Sequence, residues 1–397
     1  MRKIDLTNFQ VATSETARQI NRRITLNFLR HHQPMSRADL SRRSGLQRST
    51  VSAIVDQLID EGWVTEGAIG RLPRGRRPRF LHLNVERTGI VGVNLRPETT
   101  TVGLANVDAR FEAERSFPTP EDPATFVRAV ARTIASLRAA HPRMVCEGIG
   151  VSLPGRVDDA GRLVFAPNLG WRDVNLRQML EAATGLPVNV ENAANACALG
   201  ELWFGQHDEH IRHLVAVTVS EGIGVGVLLN GQLVHGANAM AGEFGHMTID
   251  ENGPPCCCGK HGCWERFASN SAAVEYYVAG SPATRDQPPA ALRFEDILRL
   301  ASAGDPLGVE TIERMAHFLG VGLATIVTGL APQVVVVIGE VTSAWDRVGP
   351  IVADVLARRA LRETPTRIVP TDHTTQPRLR GAVTLVIQQH FGVPNVA

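Results

Sequence analysis

The sequence predicts a multidomain chain: a small all-α, winged-helix head followed by a two-lobed α/β body. Three observations carry this reading. The chain has 397 residues, more than one ordinary hydrophobic core accommodates, so two or three domains are expected. Its charge is divided: residues 1–80 hold 15 Lys and Arg against 7 Asp and Glu, whereas the remainder holds 26 against 33. Helical periodicity fills the first part, and alternating strand-like runs separated by helices follow. A head at +8 on a body at −7 points to a polyanion partner for the head alone. The hydrophobic content of 44% is that of a soluble globular protein. No apolar run reaches membrane-spanning length and no charged-then-apolar leader opens the sequence, so the expectation is a cytoplasmic protein with no membrane partner.

The first helix is expected over Glu15 to Arg30, where Ala17, Ile20, Ile24 and Phe28 recur at helical spacing. Ser36-Arg37-Ala38-Asp39 opens a second, with Ser36 as N-cap and Asp39 at the capping-box position. Gly45 makes a turn, and Gln47 starts a third helix that buries Val51, Ile54, Val55, Leu58 and Ile59. Two short helices joined by a glycine turn describe a helix-turn-helix. Gln47, Arg48, Ser49, Thr50 and Ser52 would enter the major groove, with Arg48 suited to guanine and Gln47 to adenine, and Arg37 is expected to contact the DNA as well. Trp63 to Glu66 and Arg79 to Leu83 alternate like a hairpin. Its tip, with Arg74, Arg76 and Arg77 among five arginines in nine residues, suits phosphates or a narrow minor groove. A three-helix packing module with a solvated basic loop is the bland alternative.

The body reads as strand, strand, strand, helix (Pro123 to Ala140) and strand (Val145 to Leu153), then a second set. That set includes strands at 188–190, 213–219, 224–229 and 334–338, helices over 192–204 and 307–329, and a closing helix from Gly381 to His390. The expected domains are a head at 1–83, a linker at 84–88, a first lobe at 89–191 with 380–394, and a second lobe at 192–379 carrying a metal loop. A cleft between two such lobes suits a small ligand.

That loop holds the densest chemistry in the chain. Cys256, Cys258 and Cys263, with His246 reaching in from the preceding segment, form a closed Cys3His set of the kind structural zinc prefers. Cys257 is expected to point away. The alternative is a disulfide pair beside a free cysteine, which an oxidising compartment would favour. Glu243 and Glu265 flank the loop, and two carboxylates aimed with one imidazole resemble a polyol clamp.

Taken in order, Ser152-Leu153-Pro154-Gly155, Ala166-Pro167-Asn168-Leu169, Asn192-Ala193-Ala194-Asn195, Ala241 to His246 and the loop ending Cys263-Trp264-Glu265 resemble the ROK family. This family groups sugar-responsive repressors, of the N-acetylglucosamine and xylose types among others, with sugar kinases. The resemblance covers nearly the whole chain. It implies an actin-like, hexokinase-like body, zinc on His246, Cys256, Cys258 and Cys263, and sugar held by Asn168, Asn192, Glu243, His246 and Glu265. One imidazole nitrogen would face the metal and the other a hydroxyl.

Departures from the kinase pattern argue against an enzyme. The general base of the kinases falls on Ala193. Their opening phosphate loop falls on Asn94-Leu95-Arg96-Pro97-Glu98, without its glycines. In the second loop Glu221 would repel a triphosphate, and Gly339-Glu340 replaces a glycine pair. The expectation is therefore a sugar-responsive DNA-binding regulator, a repressor, that binds operator DNA as a homodimer, with a tetramer as the alternative assembly. Its effector is a sugar or, because Ala193 removes a carboxylate, a sugar 6-phosphate. An ATP-dependent sugar kinase with a DNA-binding head is the competing reading, and a zinc-stabilised scaffold with an idle cleft is the third.

Overall fold

The computed structural model describes residues 13–69, 79–158, 160–208, 210–281, 292–361 and 365–392. In the head, helix α1 (Ser14–His32) starts at a Thr13 cap and ends at Gln33, whose extended backbone precedes Pro34. Strand β1 (Met35–Ser36) leads into α2 (Arg37–Ser44), then α3 (Arg48–Asp60), β2 (Val64–Ile69) and β3 (Arg79–Leu83). The capping box is present: Asp39 N–H donates to Ser36 Oγ at 3.2 Å, and Ser36 N–H donates to the Asp39 carboxylate at 3.0 Å. Gly45 closes α2 at φ 73°, which glycine adopts without strain. Strand β1 lies outside the expected hairpin and adds a third strand to it, in the order β1-β3-β2.

The first body sheet contains β4 (Thr88–Leu95), β5 (Thr99–Ala105), β6 (Phe111–Pro118) and, after α4 (Pro123–Ala140), β7 (Val145–Leu153). A three-stranded satellite of β8 (Arg156–Val157), β9 (Leu163–Ala166) and β10 (Trp171–Val174) follows, then α5 (Leu176–Thr184) and β11 (Val188–Asn192). The main order is β11-β7-β4-β5-β6. Strand β4 begins at Thr88, inside the expected 84–88 linker, because Thr88 already pairs with Val145.

The second sheet has the order β14-β13-β12-β15-β16. Helix α6 (Ala193–Phe204) precedes β12 (Leu214–Val219), β13 (Ile223–Leu229) and β14 (Gln232–Leu233). Helices α7 (Glu265–Ala268), α8 (Asn270–Gly280), α9 (Phe294–Ser302) and α10 (Pro306–Leu330) come before β15 (Val334–Ile338). Helix α11 (Trp345–Arg359), β16 (Arg367–Pro370) and α12 (Pro377–Phe391) complete the chain's described elements. Helix α12 starts at Pro377 rather than Gly381, since proline with its fixed φ opens the helix well.

Helices α6 and α12 cross between the two sheets, α6 against β12 and β13, α12 against β4 and β7. Their approach depends on glycine: a Cβ at Gly381 would lie 2.5 Å from the Ala196 carbonyl oxygen. The head does not have a core to itself. Leu26, Leu29, Val55 and Leu81 share one buried cluster with Ile90, Val107, Val383, Val386 and Phe391 of the body. Among the described residues, no helix is long and apolar enough to cross a membrane.

Candidate functional site

A cleft of about 760 Å³ opens between the two sheets, lined by Asn168, Asn192, Ala193, Glu243, His246 and Glu265 among others. All five residues expected to hold a sugar therefore border one cavity, of a size suited to a small polar ligand. Asn192 caps α6: its side-chain oxygen accepts from the Ala194 and Asn195 N–H groups, and its amide donates to the Gly155 carbonyl at 2.9 Å. That grip fixes the side chain at the cleft wall. Asn168 is exposed on a single 3-10 turn, Pro167–Leu169, that ends at Gly170 with φ 67°.

The thiolate-rich loop folds into a knuckle behind the carboxylates. The ligand atoms of His246, Cys256, Cys258 and Cys263 all lie within 4.8 Å of one another. Cys256 Sγ is 3.5 Å from His246 Nδ1, and Cys258 Sγ is 3.5 Å from Cys263 Sγ. A zinc tetrahedron with Zn–S bonds of about 2.3 Å has edges of about 3.8 Å, so this donor set fits the ion in chemistry and in spacing. Burial pushes the Cys256 and Cys263 thiols above their ordinary range. A divalent cation would supply the charge that lets them ionise. All four cysteines of the loop are free thiols. Cys257 is exposed and outside the four-donor set, 3.9 Å from Glu265 Oε1.

His246 faces two ways. Nδ1 points to Cys256 and to Glu265 Oε1 at 3.3 Å, whereas Nε2 looks toward Glu243 Oε2 at 3.8 Å. Lys260 braces the same segment, its ammonium donating to the His246 carbonyl at 2.9 Å. Glu265 opens α7 and is only 15% exposed. Its other oxygen lies where Gly222 has no side chain: a Cβ there would come within 2.7 Å of it. Trp264 and Trp171 pack rather than wall the cleft. Trp264 is fully buried and donates to the Phe318 carbonyl, and Trp171 donates to the Glu121 carbonyl.

The expected repulsive carboxylate, Glu221, lines the same cleft and is paired, as is Glu340. Arg96, at the end of β4, donates to Glu221 at 2.8 Å and to Glu340 at 3.2 Å. Burial alone would lower the Arg96 pKa, but the two carboxylates outweigh it and raise it. Burial likewise opposes ionisation of Glu221 and Glu340, yet Arg96 holds both below the usual carboxylate value. Arg378, at the start of α12, is the second cation beside this group. So a bridge between β4 and the second sheet fills the place where the loop pattern had suggested bare negative charge. Sequence reasoning also missed Glu191, which accepts from Asn195 at 3.0 Å and lies 2.9 Å from His235 Nε2 at the cleft floor. Its position next to Asn192 was the available signal.

In the head, Gln47, Arg48 and Ser49 are exposed at the start of α3, while Thr50 and Ser52 are half-buried. Gln47 makes no capping bond, and Arg48 has no acidic partner among the described residues. Arg37 differs: Asp56 at 2.7 Å and Glu66 at 3.1 Å engage its guanidinium, so it braces α3 and the wing strand β2. Arg74, Arg76 and Arg77 lie outside the described residues.

Fold and site define a class: a winged helix-turn-helix head on an actin-like, hexokinase-like body with a cysteine-rich knuckle. Residues 90–389 match the ROK family and residues 20–77 the MarR family. The chain belongs to the ROK family. The xylose repressor of Bacillus subtilis is 33% identical over 332 residues, 82% of this chain and 83% of that protein. The crystal structure of a ROK family transcriptional regulator, a homolog of the E. coli MLC protein, superposes with a TM-score of 0.82 at 25% identity, covering 95% of this chain and 97% of that one. A ROK family glucokinase from Streptomyces griseus, in complex with glucose and AMPPNP, superposes with a TM-score of 0.67 at 28% identity, covering 74% of this chain and 98% of that one.

Proposed function

We propose that this protein is a sugar-responsive transcriptional regulator of carbohydrate metabolism, a repressor, and not an enzyme. The observation that carries the reading is the paired change at the cleft. The base position is Ala193, and the end expected to take phosphates holds Arg96 between Glu221 and Glu340. A sugar clamp remains without the groups that phosphoryl transfer needs. It is joined to a winged head through a shared core, and the xylose repressor likeness runs through most of the chain.

Gln47 and Arg48 read base edges in this proposal, and Ser49, Thr50 and Ser52 set the helix in the major groove. Arg37 keeps the wing against that helix, and Arg74, Arg76 and Arg77 contact phosphates or the minor groove. The protein binds operator DNA in the cytoplasm as a homodimer, its two recognition helices about one turn of DNA apart. Asn168, Asn192, Glu243, His246 and Glu265 hold the sugar or sugar phosphate. Zinc on His246, Cys256, Cys258 and Cys263 would cross-link the knuckle that aims Glu243 and Glu265. The sugar acts only by preferring one arrangement of the lobes, so sugar and operator affinities are reciprocally coupled.

The test is fluorescence anisotropy of zinc-loaded protein on DNA from upstream of its own gene, at fixed salt. It is titrated with D-xylose, D-glucose, N-acetylglucosamine and their phosphates. A sugar-dependent change in DNA affinity supports the reading. Binding indifferent to all of them counts against it. The glucokinase likeness keeps one second reading in view, a sugar kinase with a DNA-binding head, and ADP release dependent on both ATP and sugar would establish that instead.

A further inference from the structure

Helix α6 touches both the cleft and the head. Its N-terminus is capped by Asn192 at the cleft wall. Its 12 residues span about 18 Å, and its last two are Trp203 and Phe204. There Arg30 of α1 is held. Its guanidinium carbon sits 4.5 Å from the Trp203 ring centroid and 4.8 Å from that of Phe204, and it donates to the Trp203 carbonyl at 2.5 Å. Burial lowers the Arg30 pKa to about 10, with Asp108 acting the other way, so the group is a desolvated cation between two π-faces.

The rest of the head grips a different helix. Asn27 donates to the Phe391 carbonyl at 2.6 Å, and Arg23 to that of Gly392 at 3.1 Å. The Trp63 ring lies 4.3 Å from that of His390 and 5.8 Å from that of Phe391. These contacts all fall at the end of α12, which packs on the first sheet, whereas α6 packs mainly on the second; the two helices also pack on each other, with the Trp203 and Phe391 rings 6.4 Å apart. The head therefore straddles the seam between the lobes. Most of it is fixed to the first-lobe side, and Arg30 joins it to the second-lobe helix whose other end borders the sugar site. A change in lobe angle that shifted Phe204 relative to Phe391 would strain the Trp203–Phe391 contact, and the Arg30 cradle would then drag the head or break.

We propose that Arg30 is the positioning residue through which closure of the cleft is passed to the DNA-binding head. This rests on the reading above, that ligand in the cleft alters DNA binding. The decisive quantity is the coupling factor, the ratio of DNA Kd with and without sugar, which a purely structural role would leave unchanged.

The experiment uses the full zinc-loaded chain and the same DNA and sugar panel. Arg30→Met keeps the length and apolar stem but removes the charge. It should bind DNA and sugar separately to within about threefold of wild type, while the coupling factor falls from about tenfold or more to below about twofold. Arg30→Lys, which retains a cation over the rings but not the planar fork, should recover part of it. Phe204→Leu removes one face of the cradle, should also reduce coupling, and decides the matter if Arg30→Met does not fold. A wild type that responds to a sugar, with folded variants that respond equally, overturns this inference alone. A wild type indifferent to the whole panel overturns the parent reading, and this inference with it.

Discussion

Gly322 shows how far a single hydrogen in place of a methyl group reaches. It lies on α10, and a Cβ there would come within 2.0 Å of the Trp264 ring. Trp264 is fully buried and lies in sequence between Cys263 of the knuckle and Glu265 of the cleft wall, so it cannot yield without moving both. Gly322→Ala should destabilise the second lobe by about 1–3 kcal/mol through overpacking. It should also lower bound zinc, read by metal analysis after dialysis, and weaken sugar binding in calorimetry. Ala193 makes a different point. Restoring a carboxylate with Ala193→Asp should give no ADP release with ATP and sugar, because Arg96, paired with Glu221 and Glu340, still stands where the kinases have phosphate loops. The same change should weaken binding of a sugar 6-phosphate more than that of the free sugar, by adding negative charge. An equal effect on both would argue against a phosphorylated effector.

Helix α12 is the element on which head and body meet, and its last turn contains a titratable group. Burial, with help from Arg22 and Arg23, lowers the His390 pKa from 6.5 to about 4. The unfolded chain binds this proton more readily than the folded one throughout that interval. Stability therefore rises with pH across it, and is lost as pH falls from about 6.5 toward 4. Chemical denaturation followed through Trp63, whose ring lies against His390, should show this slope. His390→Gln should flatten it. An unchanged slope in the variant would place the acid sensitivity elsewhere.

Across the whole molecule, the Arg96 bridge ties the end of β4 to the second sheet beside the cleft. Arg96 is 31% exposed, Glu340 25% and Glu221 44%. Breaking a fully buried pair costs about 3–5 kcal/mol, but water screens this one, so Arg96→Met should cost about 1–3 kcal/mol in urea denaturation. Adding Glu221→Gln and Glu340→Gln should recover most of that loss by removing the orphaned charges. A triple variant no more stable than Arg96→Met would mean that the bridge acts through packing of the arginine stem.

Local chemistry was legible without the fold. The Ser36–Asp39 box, the glycine stop at Gly45, the helix over Pro123–Ala140 and the strand over Val145–Leu153 each depend on neighbours a few residues away. The four-donor knuckle was readable for the same reason, since three of its ligands fall within eight residues. The motifs that resemble the ROK family imply a shared site for Asn168, Asn192, Glu243, His246 and Glu265, and all five border one cleft. Strand β1, the β8–β10 satellite and helices α8, α9 and α11 left weaker marks, because two- to four-residue strands and mixed apolar runs carry little periodicity. The charge pairs left none. Arg96 meets Glu221 across 125 positions and Glu340 across 244, and Arg30 meets the Trp203 carbonyl across 173. In the sequence Glu221 looks like an open repulsive charge, Glu340 like a lost glycine and Arg30 like one more basic residue of the head. Only the tertiary fold, which sets the ends of β4, β12 and β15 side by side and α1 against α6, brings these partners within hydrogen-bond range, and an ion pair's energy depends on that distance and its local dielectric, neither of which is written in residue order.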